Sequence, residues 1–138
     1  MIHDKPGDPT EAILVVDDSA TVRRQHRAIL SEAGFTVHEA ANGYEALELM
    51  LTERFALLVV DVHMPEMDGY SFVAAVRREA AQSTVPILMI SSDEVATALP
   101  LAYTNGANAF LHKPAERGQL TMIARLLVGS AAPSRGAS

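Results

Sequence analysis

The stretch that decides the fold of this chain is residues 55–61, FALLVVD, in which six apolar residues lead directly into Asp61. An uninterrupted apolar run of this length is typical of a parallel strand that is covered by helices on both faces. Residues 13–16 (ILVV) and 86–90 (PILMI) are similar runs, and each is followed at once by polar residues. The three runs predict the central strands of a buried parallel sheet.

Stretches with helical spacing of apolar residues lie between and after these runs. The predicted inward faces of five helices are, in chain order, Val22, His26, Ile29, Leu30 and Ala33; Ala46, Leu47, Met50 and Leu51; Phe72, Val73, Val76 and Ala80; Val95, Ala98, Leu99 and Ala102; and Leu120, Ile123, Ala124 and Leu127. Residues 35–39 alternate like an edge strand, and residues 107–111 have the pattern of a fifth strand. Since crossovers between parallel strands are right-handed, this alternation predicts an α/β fold, a doubly wound five-stranded parallel sheet flanked by five helices.

Length and composition narrow the class of protein. The 138 residues suit one domain, predicted over residues 11–128, with a flexible tail before it and a tail or linker at residues 129–138. The absence of cysteine excludes disulfides and thiolate zinc sites. A net charge of −6 without a basic stripe argues against direct nucleic-acid binding, so Arg23-Arg24 and Arg77-Arg78 are interpreted as solvated helix faces. The N-terminus lacks a secretory signal, and no apolar run reaches the roughly 18 residues of a membrane span. We therefore expect a cytoplasmic protein with no membrane partner.

Polar residues follow four of the five predicted strands. They are Asp17-Asp18, Asp61, Ser91 and Lys113. In sheets of this kind, ligands bind at the carboxyl ends of the strands, where the strand order reverses. Three carboxylates, one hydroxyl and one ammonium are therefore expected at a single rim.

This set of groups suits phosphoryl transfer assisted by a divalent cation. Neighbouring carboxylates repel one another, and a hard cation such as Mg²⁺ with oxygen ligands removes that penalty. Lys113 and Ser91 can neutralise and hydrogen-bond the oxygens of a transferring phosphoryl group, with Asp61 as the nucleophile. Taken singly, each acidic residue could instead cap a helix or a loop, and a lysine before a proline is ordinarily a surface residue. Their convergence favours the site.

The same residues carry a resemblance to a known family. The motifs are Asp17-Asp18, Asn42-Gly43, Asp61 with Met64-Pro65-Glu66-Met67-Asp68-Gly69, Ser91, Asn105-Gly106-Ala107 and Lys113-Pro114. In order and spacing, the chain resembles bacterial response-regulator receiver domains of two-component systems over residues 11–128. The resemblance implies a flavodoxin-like fold with strand order 2-1-3-4-5. It also implies a phosphorelay function in which a histidine kinase or a histidine phosphotransfer protein phosphorylates Asp61.

The resemblance also assigns a metal site. It implies that Asp18 and Asp61 ligate Mg²⁺ directly, that Asp17 acts mainly through water, and that the backbone carbonyl of His63 is a further ligand. Ser91 and Lys113 would bind the phosphoryl oxygens, and the Lys113-Pro114 bond would be cis.

A conformational switch is part of what the resemblance implies. Ser91 would move toward the phosphoryl group and Phe110 would turn inward, which remodels the surface of the fourth helix, fifth strand and fifth helix for an unidentified protein target. Phosphorylation-dependent homodimerisation would use the same region. The residues alone leave a second interpretation open for Phe110, packing in the core. Pro100 is the least family-like feature, because a proline inside the fourth helix is expected to shorten, bend or loosen it.

The residues argue against three other classes of protein. A haloacid-dehalogenase-type phosphatase usually carries a second aspartate two residues after its nucleophile, whereas this chain has His63 there. A degenerate receiver would have lost one of the five site residues, and all five are present. A dinucleotide-binding domain would need a glycine-rich turn after the first strand. We therefore expect a signalling module that catalyses only its own phosphorylation and dephosphorylation.

Overall fold

The computed structural model describes residues 12–79 and 81–130, in which strands and helices alternate strictly. The strands are β1 (Ala12–Val16), β2 (Thr36–Ala40), β3 (Leu57–Asp61), β4 (Ile87–Ser91) and β5 (Ala109–His112). The helices are α1 (Ala20–Glu32), α2 (Gly43–Thr52), α3 (Gly69–Glu79), α4 (Val95–Asn105) and α5 (Arg117–Ser130). The predicted tail at residues 1–10, residues 131–138 and the predicted inward residue Ala80 lie outside the described residues.

The five strands form one parallel sheet in the order β2-β1-β3-β4-β5. This confirms the predicted doubly wound architecture and its strand order, with β2 at an edge. In the register of the sheet, Asp61 pairs with Ile90 and Ser91 pairs with His112. The carboxyl ends of β3, β4 and β5 therefore lie at the same rim of the sheet.

Two apolar layers cover the sheet, one on each face. Along β1 and β3 the side chains alternate between them, so that Leu14 and Val60 belong to one layer while Ile13 and Val59 belong to the other. Phe72 of α3 is fully buried in the first layer. This alternation explains why the sequence of the central strands is apolar throughout.

Two predicted core residues are exposed. Leu51 is 78% exposed, because it lies about 140° around α2 from the buried Ala46 and outside the stripe that faces the sheet. Val95 is 45% exposed, because it is the first residue of α4 and only the following turns, with Ala98 and Ala102, cover the core. The predicted apolar stripe was therefore too wide in α2 and began one turn too early in α4.

Helix α4 continues through Pro100 for five further residues, to Asn105. The proline has therefore not shortened the helix. The helix ends at Gly106, whose φ of 116° is the left-handed conformation that favours glycine. Among the described residues, no helix combines the length and hydropathy needed to span a membrane.

Candidate functional site

The structure brings the residues predicted for the site to the rim at the carboxyl ends of the strands. Asp17 follows β1, Asp61 ends β3 and Ser91 ends β4, and all three side chains are buried. Asp18, beside Asp17, is exposed to solvent. Lys113 follows β5 and is mostly buried. Four separate chain segments thus meet, as the sequence predicts.

The three carboxylates form a compact oxygen cluster. One oxygen each from Asp17, Asp18 and Asp61 lies within 4.8 Å of the others. Burial raises the pKa of Asp61 above its ordinary value. The negative charges of Asp17 and Asp18 raise it further, whereas the hydrogen bond and charge of Lys113 lower it. An all-oxygen donor set with costly negative charge fits a hard divalent cation such as Mg²⁺.

Lys113 partly offsets this negative charge. Its Nζ lies 2.6 Å from Oδ1 of Asp61 and 3.6 Å from Oδ2 of Asp17. Burial alone would lower the pKa of Lys113, but the hydrogen bond and charge of Asp61, reinforced by Asp17, raise it. The ammonium is therefore fully protonated at neutral pH. The Lys113-Pro114 bond is cis, as predicted.

Ser91 is held within the loop that follows β4. Its Oγ is buried and accepts a hydrogen bond of 2.9 Å from the Asp93 backbone N–H, and its carbonyl oxygen accepts one of 2.8 Å from the Lys113 N–H. The hydroxyl group is thus anchored at the end of β4, the strand next to β3, while keeping its own proton available for donation.

A side-chain hydrogen bond joins the loop after Asp61 to the loop after Ser91. Nε2 of His63 lies 2.8 Å from Oδ2 of Asp93, and both side chains are solvent-exposed. His63 follows Asp61 by two residues and Asp93 follows Ser91 by two, so the pair joins the loops after β3 and β4. The resemblance implies two roles for His63, a metal ligand through its backbone carbonyl and a side chain that overhangs the phosphoryl group and helps set the dephosphorylation rate, and both stay predictions. The contact with Asp93 was not predicted, although the equal spacing from two neighbouring strand ends was a usable signal.

Gly69 allows α3 to begin against the backbone of Asp61. A Cβ atom at this position would collide with the carbonyl oxygen of Asp61 and lie 2.8 Å from Cα of Val62. The Gly69 N–H instead donates a 2.7 Å hydrogen bond to the Val62 carbonyl oxygen. The glycine therefore lets the helix fix the strand end that carries Asp61.

Phe110 is half-buried in β5 and packs against the apolar layer that includes Phe72. This contact is the core-packing role that the sequence left open. The inward rotation implied by the resemblance stays a prediction.

Two arginines predicted to face solvent do not. Arg23 is only 15% exposed and donates to Glu39 and to the backbone carbonyl of Asp17. Arg77 donates to Gly106 and, through its terminal nitrogens, to three further oxygens in the segment from Ser83 to Asn108. Helical spacing could not predict these contacts, because both residues occupy polar positions of amphipathic helices.

Comparison with known proteins agrees with this geometry. A family model described as "Response regulator receiver domain" matches residues 13–125. Response regulator Rre1 of Synechocystis is 33% identical over 118 residues, covering 85% of this chain and 51% of that protein. Transcriptional regulatory protein SrrA of Staphylococcus aureus is 34% identical over 116 residues, which cover 84% of this chain and 47% of SrrA. The chain thus spans about half the length of these curated relatives.

A solved structure of similar size matches along its whole length. The chemotaxis protein CheY4 of Vibrio cholerae is 34% identical and superposes with a TM-score of 0.79. The match covers 84% of this chain and 97% of the CheY4 chain. The similarity thus extends over nearly the whole α/β unit that the structure describes.

Proposed function

Because the chain belongs to the response-regulator receiver family, we propose that Asp61 accepts a phosphoryl group from a histidine kinase or a histidine phosphotransfer protein. The observation that carries this proposal is the convergence of Asp17, Asp18 and Asp61 within 4.8 Å, with Lys113 at 2.6 Å from Asp61. Asp61 alone combines contact with the ammonium and a position at the end of the most apolar stretch of the chain.

In the proposed reaction, one oxygen of Asp61 attacks the phosphorus in line with the P–N bond of a phosphohistidine. The P–O bond to Asp61 forms as the P–N bond breaks, and the electron pair returns to the histidine ring, which takes up a proton. The Lys113 ammonium and the Ser91 hydroxyl would stabilise the charge on the phosphoryl oxygens. Water later attacks the acyl phosphate, and inorganic phosphate and the Asp61 carboxylate are released.

The cation in this proposal is Mg²⁺. Asp18 and Asp61 would ligate it directly, Asp17 through water, and the backbone carbonyl of His63 would complete the protein ligands. Bound there, Mg²⁺ supplies charge neutralisation for both the carboxylates and the phosphoryl oxygens. The residues fit this role because their donor atoms are all oxygen and because the burial of Asp61 makes its unneutralised charge costly.

Phosphorylation would act on a two-state surface. New hydrogen bonds from Ser91 to the phosphoryl group would draw the loop after β4 inward, and Phe110 would follow. The surface formed by α4, β5 and α5 would then change its affinity for a downstream protein or for a second copy of the chain. Receivers of this family interact with kinases and effectors, and this chain would do so in the cytoplasm.

The protein would work as a signalling module rather than as an enzyme with a separate substrate. The position two residues after Asp61 supports this, since His63 is paired with Asp93 and no aspartate is available there for general acid catalysis.

Intact-mass spectrometry tests the proposal. The wild-type protein is incubated with acetyl phosphate and Mg²⁺, alongside Asp61→Asn and a sample with excess chelator. We expect one added phosphoryl group only in the wild type with Mg²⁺. An unchanged wild-type mass, under conditions that label another receiver, would contradict the proposal.

A further inference from the structure

Arg23 reaches from α1 to the strand end that carries two of the carboxylates. Its Nη1 donates a 2.7 Å hydrogen bond to the backbone carbonyl oxygen of Asp17. Its Nε donates a 2.8 Å hydrogen bond to Oε1 of Glu39. With only 15% of its side chain exposed, Arg23 is ordered by two partners on two different strand segments.

Glu39 gives this arginine a fixed support. It lies in β2 opposite Val15, two residues before Asp17. Its second oxygen accepts a 2.7 Å hydrogen bond from Arg27, one turn further along α1. Burial opposes ionisation of Glu39, but the hydrogen bonds from Arg23 and Arg27 outweigh it and hold the pKa of Glu39 below its ordinary value. The anchor of Arg23 is therefore charged at neutral pH.

We infer that Arg23 is a positioning residue that sets the direction of the Asp17 and Asp18 carboxylates toward the phosphoryl-transfer site. The inference rests on the proposed function. The Asp17 carbonyl belongs to the planar peptide that joins Asp17 to Asp18, so holding its oxygen fixes the rotation of that peptide. Asp17 is further held by its N–H, which donates to the Ala40 carbonyl oxygen, and by its Oδ1, which accepts from the Ser19 N–H. Asp18 is exposed, and its orientation depends on this peptide.

Arg27 provides a matched control. It binds the same carboxylate of Glu39 from the same helix, but it is 55% exposed and, among the described residues, makes no hydrogen bond to Asp17. Replacing either arginine by methionine removes one positive charge and one ion pair with Glu39. Only Arg23→Met also removes the hydrogen bond to Asp17.

The two effects on Mg²⁺ binding have opposite signs. Loss of a nearby positive charge makes the site more negative, so a purely electrostatic role of either arginine predicts tighter Mg²⁺ binding in its methionine variant. If Arg23 positions the Asp17 and Asp18 carboxylates, its loss predicts weaker Mg²⁺ binding instead. Removing a group that orients a metal ligand typically weakens binding by about 10- to 100-fold.

The test measures Mg²⁺ affinity of the full chain by NMR titration of the backbone amides, with urea unfolding in the absence of Mg²⁺ as the measure of stability. We expect Arg23→Met to bind Mg²⁺ about tenfold more weakly than wild type, and Arg27→Met to bind it as tightly as wild type or more tightly. Arg23→Lys, which keeps the charge and can still donate to Asp17, should recover part of the loss.

Equal affinities in Arg23→Met and Arg27→Met would overturn the inference. If Arg23→Met does not fold, Arg23→Lys is measured in its place. A Mg²⁺ affinity of Arg23→Lys equal to that of Arg27→Met would then overturn the inference. A wild type without any saturable Mg²⁺ response would instead contradict the proposed function, so the two failures are distinguishable.

Discussion

The ammonium nitrogen of Lys113 lies 2.6 Å from one carboxylate oxygen of Asp61 and 3.6 Å from one of Asp17. A single cation thus joins the end of β3 to the end of β1 across the sheet rim. The contact leaves Asp61 with two competing sources of positive charge, the protein's own ammonium and the divalent cation of the proposed function.

Lys113→Met should separate these two roles. Without the ammonium, the carboxylates repel one another more strongly, so we expect Mg²⁺ binding to tighten by roughly three- to tenfold. Phosphorylation by acetyl phosphate should slow by at least about tenfold, because a stabilising charge for the phosphoryl oxygens is lost. Mg²⁺ titration and the rate of mass change measure the two effects. Arg117→Met, a charge change at the solvent-screened first residue of α5, should alter neither by more than about twofold; weaker Mg²⁺ binding in Lys113→Met would contradict this account of the contact.

The His63–Asp93 hydrogen bond should lengthen the life of the phosphorylated state. Because the contact ties together the loops that follow Asp61 and Ser91, its loss should loosen these loops and admit water more readily to the acyl phosphate. We predict that His63→Asn is still phosphorylated but loses phosphate severalfold faster, and that Asp93→Asn behaves similarly. Decay followed by intact mass after removal of the phosphodonor checks this. The same decay rate in wild type and His63→Asn would rule the role out.

The stability that Glu39 contributes should disappear in acid. Burial raises the pKa of this carboxyl, but Arg23 and Arg27 hold it below the ordinary 4.5, so the folded state binds the proton less tightly than the unfolded state. The contribution is present above the unfolded pKa and is lost as pH falls through the folded pKa. Glu39→Gln should therefore be less stable by about 1 kcal/mol at neutral pH. Urea unfolding should show the difference shrinking below the unfolded pKa; a constant difference at all pH values would count against the ion pairs.

Pro100→Ala should stabilise the protein. The proline lies inside α4 and cannot donate the backbone hydrogen bond to Ala96, whereas alanine can. Allowing for the larger entropy of the unfolded variant, we expect a gain of about 2 kcal/mol in the free energy of unfolding. Leu101→Ala, at an exposed position of the same helix, should change it by less than about 0.5 kcal/mol. No gain from Pro100→Ala would mean that α4 already accommodates the proline without cost.

The fold and most of the site were predictable from the sequence for one physical reason. Apolar runs identify the central strands, and the carboxyl ends of parallel strands must meet at one rim. Asp17, Asp61, Ser91 and Lys113 each follow or end such a run. Their proximity therefore follows from the sheet topology without knowledge of any side-chain conformation.

What could not be predicted depends on how far side chains reach and how much of a helix is covered. Leu51 and Val95 satisfy helical spacing, yet spacing cannot say where the neighbouring layer ends. Arg23 occupies a polar position of α1, and its contact with Asp17 requires the long side chain to reach the segment that follows β1. Only a structure that places Glu39 beside it shows why it does so.

Chemical trapping of the phosphorylated residue tests the central claim most directly. Borohydride reduces an aspartyl phosphate to homoserine, and peptide mass spectrometry then identifies the modified position after incubation with acetyl phosphate and Mg²⁺. The account predicts homoserine at position 61 and nowhere else, and none when Mg²⁺ is chelated. Homoserine at position 17 or 18, or a protein that stays unmodified while a control receiver is labelled, would contradict it.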